Sequence, residues 1–179
     1  TIINALAASY HVAPDGLTWT FTLRNKLMFS DGTPLTSTDV AYSLDRALRI
    51  GAKSAFASYA LGLIKNAEQL AAGKLKTLIG SSIQVPNAQT VVIVTSKKAA
   101  YFLAMLTYPA AYVVEKSLVG RYGNHFTDHL AEGGGSGPWI ISSYIHSQEI
   151  DFTPNPNYYG ARPQLRFIAR PFYKIEETA

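Results

Sequence analysis

The sequence predicts an α+β (mixed α/β) fold, with hairpins and short helices around a mixed sheet. Three observations carry that prediction. Leu17, Trp19, Phe21 and Leu23 alternate with Thr18, Thr20, Thr22 and Arg24, the period of a half-buried antiparallel strand. Val40, Leu44, Ala47 and Leu48 recur at helical spacing. Strands and helices then follow one another without regular βαβ alternation, which argues against a doubly wound parallel sheet.

Taken in order, Pro14-Asp15-Gly16 is a turn signal, so Leu6–Val12 is expected to pair with Leu17–Arg24 as a hairpin. Asp31-Gly32-Thr33-Pro34 is a second turn. Thr36 can cap the helix that follows, and Asp39 can reach back to it in a capping box. Gly51 is expected to end that helix. Leu63, Ala67 and Leu70 mark a short helix closed by Gly73. Ile79–Val85 and Thr90–Thr95 read as strands around Pro86-Asn87-Ala88-Gln89. Val91–Val94 is apolar on both faces, which places that strand inside its sheet. Ala100–Leu106 reads as a helix stopping before Pro109. After the run Gly133–Gly137, strands are expected at Pro138–Ile145, Glu149–Thr153 and Arg166–Tyr173.

Composition excludes several classes of function. With 47% hydrophobic and 16% charged residues among 179, the chain can build a core and is not disordered. Sixteen Lys+Arg against twelve Asp+Glu leave a net charge of +4, with no sequence cluster denser than Lys97-Lys98, too weak and scattered for nucleic acid. Without cysteine there is no disulfide framework, thiol nucleophile or Cys-ligated zinc, and an oxidising compartment is tolerated. The charge-free stretch 99–114 is too short to span a bilayer and is interrupted by Thr107 and Pro109. Thr1-Ile2-Ile3-Asn4 has no basic region and no cleavage site, and 174–179 reads as a helix cut in its first turn. The expectation is a piece excised from a longer protein.

Three stretches in register resemble one family. They are Asp15–Arg24, Phe29–Arg46 with its Phe-Ser-Asp-Gly-Thr-Pro-Leu-Thr core, and Gly135-Ser136-Gly137-Pro138-Trp139 followed by Asn155-Pro156-Asn157-Tyr158-Tyr159-Gly160. Together they resemble the bacterial extracellular solute-binding proteins of family five, the peptide-, dipeptide- and nickel-binding receptors of ABC importers. The resemblance implies part of lobe I of a two-lobe periplasmic-binding-protein-like fold. Residues 1–115 would be an extra subdomain of the first lobe, 116–179 part of its core sheet, and the second lobe would be absent. It further implies capture of an oligopeptide or similar small solute between lobes. The solute would be delivered to the permease subunits, in the periplasm or at the cell surface, with a lipoprotein anchor as one form. No catalysis and no cofactor are implied. A fragment of such a protein would expose apolar surface and could self-associate.

Within that resemblance, Phe56 and Tyr59 in Ser54–Tyr59 and Tyr108 before Pro109 match positions that line the cleft, where an aromatic ring can stack on ligand. Ordinary core packing of Phe56, and core or interlobe packing of Tyr108, are equally open readings. Phe56 lacks the hydroxyl common at its position in relatives. A nickel chelate or an oligosaccharide are alternative ligands. A different class of function, a metallohydrolase, would rest on His125 and His129, four residues apart, which on a helix could share a metal. Phe126 stands where the zinc-protease pattern needs Glu, and no third ligand is evident, so surface histidines are the competing reading. The glycine run lacks the features of a phosphate loop or a nucleophile elbow and is expected to let backbone approach backbone. Turn chemistry alone accounts for Asp31–Pro34.

Overall fold

The computed structural model describes residues 2–50 and 55–173, the side chains of 50, 55 and 56 excepted. The chain divides into two units. One comprises Thr1–Asn25 and Thr36–Val114, the other Lys26–Leu35 and Glu115–Ala179.

In the first unit, β1 (Ala7–Val12) and β2 (Thr18–Leu23) form the expected hairpin, with Tyr10 opposite Phe21 and Val12 opposite Trp19. Asp15 holds the turn. Its carboxylate accepts the N–H groups of Leu17 (2.8 Å) and Thr18 (3.0 Å) and the Thr18 hydroxyl. These bonds keep the Asp15 carboxyl below its ordinary value. The sheet is antiparallel throughout in the order β1-β2-β4-β3, with β3 at Ile83–Asn87 and β4 at Thr90–Val94. β4 is therefore interior, as its apolar run requires, with Val91 and Ile93 buried and Val92 and Val94 half-buried. β3 begins later than the expected Ile79. Asp45 accepts the Leu78 N–H (2.7 Å) and the Thr77 hydroxyl, and Gly80 turns at φ +86°, so the chain bends before it pairs.

Helix α1 (Ser37–Ile50) lays Ala41, Leu44 and Leu48 on the sheet. Asp39 reaches back as expected and accepts both the N–H and the hydroxyl of Thr36 (2.9 and 3.0 Å). Here Thr36 Oγ1 donates to the carboxylate instead of accepting a helix N–H. The expected stop at Gly51 lies outside the described residues. Helices α2 (Ala55–Leu61), α3 (Ala67–Ala71) and α4 (Phe102–Met105) close the core around Trp19, Leu61, Ile64, Leu70, Leu78 and Phe102. The Trp19 and Phe102 rings meet at 5.2 Å, tilted. A side chain buried as fully as Phe102 gains roughly 2–3 kcal/mol from leaving water.

In the second unit, Lys26–Leu35 forms a small hairpin around Gly32, whose φ is +89°. Phe29 N–H donates to Thr33 O (2.8 Å), Leu35 N–H to Leu27 O (2.9 Å), and Asp31 accepts from Thr33 N–H. Helix α5 (Lys116–Tyr122) and a 3₁₀ stretch (Gly123–His129) occupy a segment where no periodicity predicts a helix. The sheet β5-β6-β7 follows, with Trp139–Ile145, Glu149–Pro154 and Ile168–Pro171 paired antiparallel. The glycine run works as expected. Gly133 and Gly134 have φ of +155° and +94°, Gly134 N–H donates to the buried Glu115 carboxylate (3.0 Å), and Ser30 N–H donates to Gly135 O (2.8 Å). Asn155 is buried and makes four hydrogen bonds, donating to Gly137 O and Pro138 O and accepting from the N–H groups of Asn157 and Tyr158. Asn157 Nδ2 in turn donates to Ser30 O (3.1 Å). The three stretches that carry the family resemblance are thus structural. They set turns and tie the 26–35 hairpin to the second unit.

Candidate functional site

Helix α2 turns Ala57, Ala60 and Leu61 into the core, which leaves Ser58 and Tyr59 on its outer face. Tyr59 is 63% exposed. Tyr108 is reached by a different route. α4 ends at Met105, and Pro109 requires extended backbone before it, which Tyr108 adopts at φ −74°, ψ 151°. The 3₁₀ turn Pro109–Ala111 then packs on α1 and α2, with Ala110 and Ala111 against the core. Ser43 fixes the end of this segment. Its hydroxyl accepts Val114 N–H (2.9 Å) and donates to Asp39 O (2.7 Å).

The result is an edge-to-face pair, with the Tyr59 and Tyr108 rings 6.0 Å apart at 83°. Such pairs contribute about 0.5–1.5 kcal/mol beyond area burial. The structure therefore brings together two of the three residues singled out in the sequence. The third, Phe56, falls in α2, but its side chain lies outside the described residues. Tyr112, four positions past Tyr108, is 64% exposed and was not singled out. Nothing in a single sequence distinguishes an exposed aromatic from a buried one in a segment without periodicity.

The histidines do not form the arrangement that a shared metal requires. Gly123–His129 is a 3₁₀ helix, in which residues three apart eclipse, so positions four apart diverge around the axis. His125 Nδ1 faces Asp128 (3.8 Å). His129 Nδ1 faces Glu132 (2.8 Å), and its ring stacks on Tyr122 at 3.5 Å and 4°. Glu132 also accepts the Tyr122 hydroxyl (2.6 Å). This bond, with the His129 contact, holds the Glu132 carboxyl below its ordinary value. His146, far from these in sequence, reaches Asp128 at 3.2 Å. No group of three metal-ligating side chains occurs among the described residues. No helix among them is long and apolar enough to cross a membrane.

Known proteins share this mixed α/β fold. The chain belongs to the bacterial extracellular solute-binding proteins, family 5, whose middle-region model matches residues 1–176. It is 30% identical over 166 residues to the probable D,D-dipeptide-binding periplasmic protein DdpA of Escherichia coli, covering 92% of this chain and 28% of that protein. It is 31% identical over 142 residues to the periplasmic oligopeptide-binding protein OppA of Salmonella typhimurium, covering 79% of this chain and 26% of that protein. Among solved structures, a periplasmic oligopeptide-binding protein from Borrelia burgdorferi superposes with a TM-score of 0.78 at 26% identity, over 97% of this chain and 34% of the other. Listeria monocytogenes OppA bound to peptide shares the fold, with a TM-score of 0.84 at 23% identity, over 97% of this chain and 34% of the other. The chain thus spans less than a third of the length of the curated relatives it matches. These relatives are named as binding proteins.

Proposed function

We propose that this chain supplies one wall of the ligand cleft in the peptide-binding component of an ABC importer. The observation that supports it most is its identity of 30% or more to proteins named for binding dipeptides and oligopeptides. On this reading the unit built on β1–β4 is the extra subdomain of the first lobe, and the β5-β6-β7 sheet is part of that lobe's core. Tyr59 and Tyr108, with Phe56, form an aromatic wall on which ligand stacks. The exposed Tyr59 hydroxyl offers a donor to peptide carbonyls, while main-chain bonds elsewhere hold the peptide backbone. Lobe closure on ligand would create the state a permease reads, since only a ligand touching both lobes shifts the equilibrium between open and closed. The working place of such a protein is the periplasm or the outer cell surface.

Peptide is favoured over a nickel chelate and over oligosaccharide by the relatives' names. Because one wall does not enclose a ligand, the 179-residue chain alone is expected to bind tri- to pentapeptides with no measurable heat in titration calorimetry. A longer protein containing this segment is expected to bind them, and Tyr108→Ala in that protein is expected to weaken binding about tenfold, the scale of one stacked aromatic. Micromolar binding by the short chain itself would overturn the one-wall reading.

A further inference from the structure

Lys97 and Lys98 are neighbours in sequence, and the fold adds a third cation to them. Ile64 bridges Thr95, Lys65 N–H donates to Val94 O (2.8 Å), and Ser96 N–H donates to Leu63 O (2.9 Å). Segment 63–65 therefore runs antiparallel beside 94–96, with Lys65 at Val94 and the Lys97-Lys98 pair three residues further along the facing segment. The stem of Lys98 crosses Gly16, 3.1 Å from where a Cβ would stand, so the patch extends over the β1–β2 turn. Lys74 and Lys76 lie on the connection from α3 to β3. That connection enters the sheet beside the end of β4, where Val94 N–H donates to Ser82 O (2.9 Å). All five lysines are exposed, and none is in a salt bridge among the described residues. The acids in these segments are Asp15, bonded to Leu17 and Thr18 and also facing the charge of Lys98, and Glu68. The first unit as a whole holds nine Lys+Arg against four Asp+Glu, and the second holds seven against eight. Tyr101, three residues past Lys98, is exposed as well.

We infer that the sheet end bearing Lys65, Lys74, Lys76, Lys97 and Lys98 docks electrostatically on anionic lipid headgroups. The five cations are lysines, and Arg49 of α1 stands beside Thr77, paired with Asp45. Ammonium groups on mobile stems suit a diffuse negative surface, whereas fork-shaped guanidinium groups grip single phosphates or base edges. Four to eight basic residues is the number that anionic membrane recognition uses, and tyrosine is at home at the headgroup level. The inference uses no peptide ligand, so its failure would leave the peptide reading untouched.

The test is co-sedimentation of the 179-residue chain with vesicles of phosphatidylcholine alone and of phosphatidylcholine with about a third phosphatidylglycerol. Binding is expected only to the anionic vesicles and is expected to fall steeply with added salt, as for about five lysines at a charged surface. The triple variant Lys65→Glu, Lys97→Glu, Lys98→Glu is expected to lose at least about 100-fold in partition, from roughly fivefold per lysine. The milder Lys→Gln triple is expected to lose a smaller share, and it keeps the test decisive if charge reversal unfolds the chain. Arg162→Glu with Arg166→Glu, in the second unit, is expected to change nothing. Equal binding to both vesicle types, or no loss in either triple variant, would overturn the inference. So would a chain that ignores vesicles yet binds duplex DNA or polyglutamate through the same lysines.

Discussion

Asp15 and Glu132 are the two carboxylates whose surroundings most clearly favour the charged form, and they do so differently. Asp15 accepts two main-chain N–H groups and a hydroxyl within its own turn, whereas Glu132 gathers Tyr122 and His129. A carboxyl depressed in the folded state adds stability that is present above its unfolded value and is lost as pH falls through its folded value. Asp15→Asn keeps an acceptor but removes the charge. Wild type is therefore expected to exceed this variant in urea midpoint near neutrality, with the gap shrinking in strong acid as pH falls through the depressed value of the folded carboxyl. Circular dichroism melts in urea at neutrality and in strong acid measure it. Gly134 makes a second residue-scale demand. Its φ of +94° is left-handed, and an added Cβ would stand 2.7 Å from Leu118 Cδ2. Gly134→Ala is expected to cost about 1–3 kcal/mol in denaturant unfolding.

At the scale of elements, α1 shows how a helix positions a connection that no local pattern predicts. Asp45 is buried, paired with Arg49 at 3.0 Å, and accepts Leu78 N–H and Thr77 Oγ1 from a segment more than thirty residues away. Asp45→Ala leaves that N–H buried and unpaired, so an expected loss of about 1–3 kcal/mol would appear in the same unfolding measurement. The sequence shows Asp45 and Arg49 as an ordinary i,i+4 pair and gives no hint of the Leu78 contact, because the partner is remote. The same logic separates what was legible from what was not. β2 is readable because Trp19 and Leu23 face the core while the threonines do not, and β4 because both its neighbours are strands. α5 and the 3₁₀ stretch are not readable, because short helices of mixed polarity present no sustained period. Tyr59 and Tyr108 could be singled out by resemblance, but their edge-to-face contact depends on the packing of Pro109–Ala111 on α2.

For the whole molecule, the contrast between the two sheets is the main energetic fact. The four-stranded sheet buries Trp19, Leu23, Ile83, Val91 and Ile93. The three-stranded sheet has no fully buried residue in any of its strands. Tyr144, Ile145, Leu165, Phe167 and Phe172 are exposed in the same unit, with relative exposures from 37% to 63%. Apolar surface left open in water favours association. Sedimentation velocity is expected to show the 179-residue chain moving toward dimers and larger species as concentration rises. Ile145→Lys with Phe167→Lys is expected to restore the monomer. A strict monomer at high concentration in the unaltered chain would count against this.

The 26–35 hairpin has a consequence for how the polypeptide is made. Its ten residues are flanked on both sides by the first unit, yet their partners Gly135 and Asn157 arrive more than a hundred positions later. At about 5–20 residues per second, a ribosome takes roughly 5–20 s to supply those partners. During translation, β2 and α1 can settle while the loop between them waits in solvent with Phe29 uncovered. Phe29 is fully buried at the end and lies outside the first unit's core cluster, so its shelter waits on the second unit.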